Sequence, residues 1–494
     1  MSSRQTHNFS SLAQAYAALD ARLNVETSRQ HAGDVEGLKK AFQLDRMRAL
    51  MGALDNPQES LACIHVAGSK GKGSVCHMTA SMLQGCGYAV GMYTSPHLIE
   101  LRERVQIGGQ WISGDEFASL LGRVMTAADG LPATLGVCTH FEIVTALALL
   151  HFAEQAVDFA VIETGMGGLL DATNVVTPRV SAITVIQGEH KQFLGSTLEE
   201  IAAHKAGIIK ANVPAVVLPQ VNERVSEVFR TTAEGVNAPF TVVGVGNDFS
   251  LRLEASPELG AHYRVNFKGQ ALALEHVIVP LKGEHQALNC GLVLSIADEL
   301  VRQGYDLAPE RVTAGLAATP CAGRLELVHG SPRIVVDGAH NPESVRETIK
   351  ALRQHMKYDA LWVVFGCAMD KEVDGMLAAM ASGADKVIFT RAAGNARAAE
   401  PRQLSKRYFE MVSKPVLVEE SVRDALNHAA RMVQTQDLIL VTGSFAVAGE
   451  AKRLLEEKRR SVEVKSIDAK GSPVRGAIRA SMGASGRGGN QPPG

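Results

Sequence analysis

Along the chain, short apolar runs alternate with longer stretches in which apolar residues recur every three or four positions. Cys63-Ile64-His65-Val66-Ala67 is one such run and reads as a buried strand. It breaks into Gly68, Gly71 and Gly73, after which Val75, Met78, Thr79 and Met82 fall at helical spacing. Upstream, residues 10–55 read as helical until Asn56-Pro57 breaks the pattern. Downstream come a short strand at 89–93, an extended excursion at 102–107, a helix at about 141–155, and strands at 159–162 and 180–186. Ser196-Thr197-Leu198-Glu199 opens a capped helix. Residues 215–280 show β-like alternation with Pro and Gly turns, and Leu281 to Gln286 opens a helix carrying Asn289.

A boundary falls around Pro320 to Arg324. Beyond it, strands at 333–336, 361–365, 386–389, 416–418 and 438–441 alternate with helical patterns, which predicts a second, mostly parallel sheet. The reading is therefore α/β, with domains at 1–320 and 321–462. A tail over 463–494 turns to Gly, Ser, Arg and Pro from about Gly471 and reads as disordered. Its Arg475, Arg479 and Arg487 are too scattered for a nucleic-acid arm.

Composition narrows the function. At 494 residues the chain can build two or three cores, and 46% hydrophobic with 21% charged residues is that of a globular protein. A net charge of −2 and 5% aromatic content argue against a nucleic-acid or anionic-membrane partner. Seven scattered cysteines without a CxxC pair suit reduced thiols in a cytoplasm better than zinc or disulfides. No secretory leader or bilayer-spanning run is expected.

Candidate chemistry sits at strand ends. Strand, glycine-rich loop and helix make a phosphate cradle: glycines turn backbone N–H groups toward an anion, the helix start adds partial positive charge, and Lys72 adds a full one. The strict P-loop pattern fails, because Gly73 separates Lys72 from Ser74. Thr94-Ser95-Pro96-His97 closes the second strand. Glu163 closes another beside Gly165, Gly167 and Gly168, where a nucleotide-bound Mg²⁺ would find a hard oxygen ligand; a solvated strand-end carboxylate is the plainer alternative. Lys205 shares a helix face with Leu198, Ile201 and Ala202, so it is paired, neutral or modified, or else its head snorkels outward. Asn341 and Pro342 suit the start of a helix.

Nine motifs in order resemble the folylpolyglutamate synthase/dihydrofolate synthase family of Mur-ligase-like amide ligases. They are HVAGSKGKGS (65–74), YTSPHL (93–98), RERVQI (102–107), ETGMGG (163–168), LDATNVV (170–176), EHKQFLG (189–195), HKAGIIK (204–210), GRLE (323–326) and DGAHNPE (337–343). The resemblance implies a P-loop-like central domain and a smaller Rossmann-like C-terminal one. It implies ATP-dependent joining of L-glutamate to a pterin-linked carboxylate through an acyl phosphate, in a cytoplasmic monomer. ATP would lie on Ser69, Lys70, Gly71, Lys72, Gly73 and Ser74, with Asn289, Arg324, Asp337, His340 and Asn341. Mg²⁺ would be held by Ser95, Glu163 and His190. Lys205 matches a carbamylated lysine and, with Lys72, His190 and Glu163, would form the catalytic set. Thr139, His140, Phe141, Glu142 and Leu170 match segments near the pterin. Departures are Ser69-Lys70 for Thr-Asn, Leu169 for Arg, Glu189 for Asp and Ala322 for Gly. A Mur-like ligase for another acid and amino acid, or a nucleotide-binding relative without catalysis, are the alternatives.

Overall fold

The computed structural model describes residues 6–24, 43–257, 259–413 and 415–470. The run Cys63–Ala67 is strand β1, buried at every position. It lies inside an eight-stranded sheet with β2 (Val90–Tyr93), β3 (Val105–Ile107), β4 (Gln110–Trp111), β5 (Phe159–Glu163), β6 (Pro178–Ile183), β7 (Ala215–Val217) and β8 (Phe240–Val242). The order is β4-β3-β2-β5-β1-β6-β7-β8. All pairings are parallel except those of the edge ribbon β3–β4 and its junction with β2. Strands covered on both faces need no polar alternation, which is why β1 and β5 read as unbroken apolar runs.

One face of this sheet packs on the helices Lys72–Gly85, Glu284–Arg302 and Pro309–Ala317, the other on Leu12–Asp20, Leu44–Ala53, Gly114–Asp129 and His140–Glu154. A small antiparallel sheet joins the first core: β9 (Asp248–Ser256), β10 (Gly260–Lys268) and β11 (Ala273–Ile278). The C-terminal sheet has the order β12-β13-β17-β14-β15-β16: β12 (Glu326–Gly330), β13 (Arg333–Val336), β14 (Leu361–Phe365), β15 (Lys386–Phe389), β16 (Leu417–Val418) and β17 (Leu438–Thr442). Only β12 is antiparallel to its neighbour. Among the described residues no helix is long and apolar enough to cross a membrane.

Three stretches differ from expectation. Within 215–280 lies the helix Glu223–Gly235, capped by Asn222, which buries Val225, Phe229 and Ala233 at a spacing of four. The excursion at 102–107 begins as a 3-10 turn, Leu101–Arg104, because the Glu103 carboxylate gathers the N–H groups of Leu98, Ile99 and Glu100. The last helix, Phe445–Lys470, continues past residue 462, where a tail is expected. Residues 25–42 of the expected N-terminal helix, and the tail from 471, lie outside the described residues.

Candidate active site

A cleft of about 2460 Å³ runs between the two sheets, and the glycine loop forms its floor. Gly68 has φ +143°, and a side chain there would collide with the Thr184 hydroxyl. Ser69 ties the loop to the end of β6: its N–H donates to Val185 O at 3.0 Å and its hydroxyl to Gln187 O at 3.0 Å. Gly71 starts the helix Lys72–Gly85, and no side chain caps it. The N–H groups of that first turn are therefore available to an anion. Behind the loop, Asn289 stands 2.6 Å from where a Gly71 Cβ would be, and its Nδ2 donates to Gln286 Oε1 at 3.0 Å. Gln286 Nε2 in turn donates to Ser74 Oγ at 3.1 Å. Asn289 thus buttresses the cradle from inside the wall.

Two ammonium groups converge on one carbonyl. Lys72 Nζ donates to Gly68 O at 3.0 Å, and Lys205 Nζ donates to the same oxygen at 2.8 Å. Lys205 is 1% exposed and pairs with Glu189 Oε1 at 2.7 Å. Of the readings open for Lys205, the structure shows the paired one, with no snorkelling head. Burial lowers its pKa, with Glu189 pulling the other way. Burial would raise the Glu189 carboxyl, but Lys205, Lys72 and His190 outweigh it and hold it below the usual range. His190 opens onto the cleft at φ +45°; desolvation of its ring holds the imidazole at about 4 against the pull of Glu189.

Glu163, at the end of β5, is buried and accepts the Ser95 N–H at 3.0 Å. Burial raises its pKa, and Lys72, Arg324 and Arg104 oppose the rise. Arg324 reaches this point from the C-terminal side: its guanidinium occupies the space a Gly73 Cβ would need. His340 crosses the same seam. Its Nδ1 is 2.9 Å from Gly338 O, so Nδ1 carries the proton and Nε2 accepts from Lys70 Nζ at 3.3 Å. Burial depresses both, His340 to about 3 and Lys70 to about 8.

Several expected site residues prove committed to holding local structure. Asp337 accepts the N–H groups of Leu325 and Ala339 and the Thr348 hydroxyl, at 2.9–3.0 Å. Asn341 caps the helix Pro342–His355 by accepting from Ser344 N at 2.8 Å. Thr139 and Glu142 form a reciprocal capping box, and Arg46 meets both Glu142 oxygens at 3.0 Å. His140 is buried, with its N–H on Leu23 O. Phe141 lays its ring against Gly165, and Leu170 lines the cleft 43% exposed. Leu169, 48% exposed, lies over Gly207.

Residues 117–297 match the Mur ligase middle domain, and residues 323–445 match the Mur ligase glutamate ligase domain. The dihydrofolate synthase/folylpolyglutamate synthase of Bacillus subtilis (strain 168) is 33% identical over 421 residues, 84% of this chain and 95% of the relative. The chain belongs to this family of ATP-dependent glutamate ligases. The structure of E. coli FolC in complex with DHPP and ADP superposes with a TM-score of 0.78 at 26% identity, covering 92% of this chain and all 100% of that one. Folylpolyglutamate synthase of Mycobacterium tuberculosis, complexed with ADP and AMPPCP, gives 0.77 at 31% identity over 90% of this chain and 98% of that one. In this chain a second α/β sheet faces the glycine loop across the cleft.

Sequence reasoning left parts of the cleft unassigned. Gln286, the buried Arg104, whose Nε donates to His97 Nδ1 at 3.1 Å, and the C-terminal loop residues Asp370, Lys371 and Arg397 all line it. Arg104 lies in the RERVQI motif and Gln286 at the start of the expected helix carrying Asn289, so both were findable. The loop residues carry no local signal beyond their place after strands.

Proposed function

We propose that the chain joins L-glutamate to a folate-type carboxylate, dihydropteroate or tetrahydrofolate or both, with ATP converted to ADP and phosphate. What supports this most is one arrangement: Lys72, Lys205 and Arg324 bring three cations to an uncapped helix start beside the buried Glu163. A carboxylate oxygen of the acid attacks the γ-phosphorus, the P–O bond to ADP breaks, and the glutamate amine then displaces phosphate to leave an amide. Lys72 and the loop N–H groups would stabilise charge developing on the transferred phosphoryl group. Arg324, coming from the other side of the cleft, would complete the site and keep water from the acyl phosphate. The apolar Leu170 and the Phe141 ring would flank the pterin.

Mg²⁺ fits the donor chemistry. Glu163 offers a buried oxygen ligand, and Ser95, whose N–H it accepts, lines the same cleft and carries a hydroxyl. Among the described residues no three His, Cys, Asp or Glu side chains converge as a preformed centre, which suits an ion completed by phosphate oxygens and water. When bound it would neutralise charge on the phosphates. We place the protein in the cytoplasm as a monomer. A carbamate on Lys205 belongs to the same reading: the depressed pKa favours the neutral amine that CO₂ needs. It would set a second anion beside Glu189, so it fits only with the divalent cation present. A ¹³C signal from labelled bicarbonate that is just as strong without Mg²⁺ would refute that coupling.

The deciding assay is ADP release with dihydropteroate, tetrahydrofolate or a UDP-muramoyl peptide as the acid, each with and without L-glutamate. Turnover should need a folate-type acid and L-glutamate together. Turnover with the muramoyl peptide alone would overturn the reading.

A further inference from the structure

One helix of the C-terminal unit meets the first domain at both of its ends. Pro342–His355 has 14 residues and so spans about 21 Å. Just before its start, His340 accepts from Lys70 of the phosphate loop at 3.3 Å. At its far end, His355 docks on the small antiparallel sheet and on the turn beside it. Its Nδ1 lies 2.8 Å from Ala261 O on β10. A carbonyl only accepts, so Nδ1 carries the proton and Nε2 is left as an acceptor. The Gly283 N–H donates to Nε2 at 3.1 Å. The ring also lies against Tyr263, with centroids 5.8 Å apart. Burial holds the imidazole below its ordinary value, helped by Lys282, His262 and His285 and opposed by the Ala261 carbonyl. A neutral ring is what both bonds require.

What His355 holds leads back to the phosphate loop. Gly283 is buried, and Ala351 Cβ of the same helix stands 3.5 Å from where a Gly283 Cβ would be. A buried N–H left unpaired is costly, so the contact with the imidazole fixes this turn. Gly283 caps the helix Glu284–Arg302, and its carbonyl accepts the Gln286 N–H at 3.0 Å. From there the bonds run on to the cradle. Gln286 Nε2 donates to Ser74 Oγ at 3.1 Å, and Asn289, which stands behind Gly71, donates to Gln286 Oε1 at 3.0 Å. The same seam carries a half-exposed ion pair, Lys350 Nζ to Glu284 Oε2 at 3.1 Å, and solvated pairs of this kind hold little.

We propose that His355 is a positioning residue for the phosphate loop: from the C-terminal unit it fixes the start of the helix whose Gln286 and Asn289 support that loop. This rests on the reading of the loop as an ATP site. The test is hydrogen–deuterium exchange on the full chain without ligand, together with the Kd for a non-hydrolysable ATP analogue. The peptide over 69–76 carries two N–H groups bonded within the loop, those of Ser69 and Val75. In His355→Leu it should exchange about tenfold faster, and the Kd should rise about fivefold or more. His355→Gln, which offers both an N–H and an acceptor oxygen, should recover much of both. Lys350→Ala should leave both within about twofold. Unchanged exchange over 69–76 in His355→Leu, an unchanged Kd, or an equal rise in exchange across the C-terminal sheet would overturn the assignment. So would Lys350→Ala matching His355→Leu. A natural chain that binds no analogue refutes the nucleotide reading alone, and the exchange rates then decide the role of His355.

Discussion

Acid should destabilise this protein through a histidine just ahead of the phosphate loop. His65 is 0% exposed on β1. The Thr173 hydroxyl donates to Asp171 at 2.5 Å, so its oxygen accepts from His65 Nε2–H at 2.8 Å. Nδ1 then bears the lone pair, and it has no partner among the described residues. Protonating it would put a cation in the core. Burial, and secondarily the charge of Lys210, hold the imidazole down to about 3 from an ordinary 6.5. The folded pKa lies below the unfolded one, so the unfolded chain takes the proton first. Stability from this group is complete above 6.5 and falls as pH drops toward 3. At about pH 4.5 the loss is roughly two pKa units, or about 3 kcal/mol, against a total of about 5–15 kcal/mol for a typical domain. His65→Gln keeps an N–H for Thr173 and removes the titration. His77, also held at about 3 by burial, titrates in both proteins, so their difference isolates His65. Urea unfolding followed by circular dichroism near pH 7.5 and near pH 4.5 reads it. The variant should lose about 3 kcal/mol less than the natural chain between those conditions. Parallel pH profiles would refute the argument.

Lys72→Ala should lower kcat at least about a hundredfold while the thermal midpoint holds within about 2 °C; near-normal turnover would make the loop structural. Arg46→Met strands the buried Glu142 carboxylate and should cost about 3–5 kcal/mol in chemical unfolding, much of it recovered by adding Glu142→Leu; a loss under about 1 kcal/mol would contradict the buried pair. Gly449→Ala drives a methyl group into the Leu98 carbonyl, where the last helix meets the first domain, so small-angle scattering should show a larger radius of gyration. An unchanged radius would mean the seam absorbs the methyl group.

Where the sequence carried a physical reason, the fold was legible. β1, β5 and β17 are mostly apolar and buried at every position because both faces of their sheets are covered. The helix start at Asn341 carries its own capping chemistry, and so does the one at Thr197, whose box with Glu200 lies one residue past the expected Ser196–Glu199. The helix Glu223–Gly235 was missed within a stretch expected to be β-like, although Asn222 caps it and its buried residues fall four apart, because the Pro and Gly turns around it hid that period. The 3-10 turn at Leu101 was not, because it depends on where the Glu103 side chain folds back.

The site was legible as a neighbourhood and illegible as a set of charges. Strand ends and glycines locate the cleft, yet charge depends on which side chains meet, and those meetings span long stretches of chain. Lys205 shows this most clearly. Its helix face says that it is buried, and only the structure supplies Glu189 at 2.7 Å as its partner. Lys72, Lys205 and Glu189 together carry one net positive charge over Gly68 O, a state ready for a phosphate anion. A carbamate on Lys205 would replace a cation by an anion and turn that group net negative. In a site this dry, a swing of two charges has to be matched by an incoming cation. On the reading proposed above, a carbamate at Lys205 would therefore require the divalent metal at this loop and would displace the Lys205–Glu189 pair.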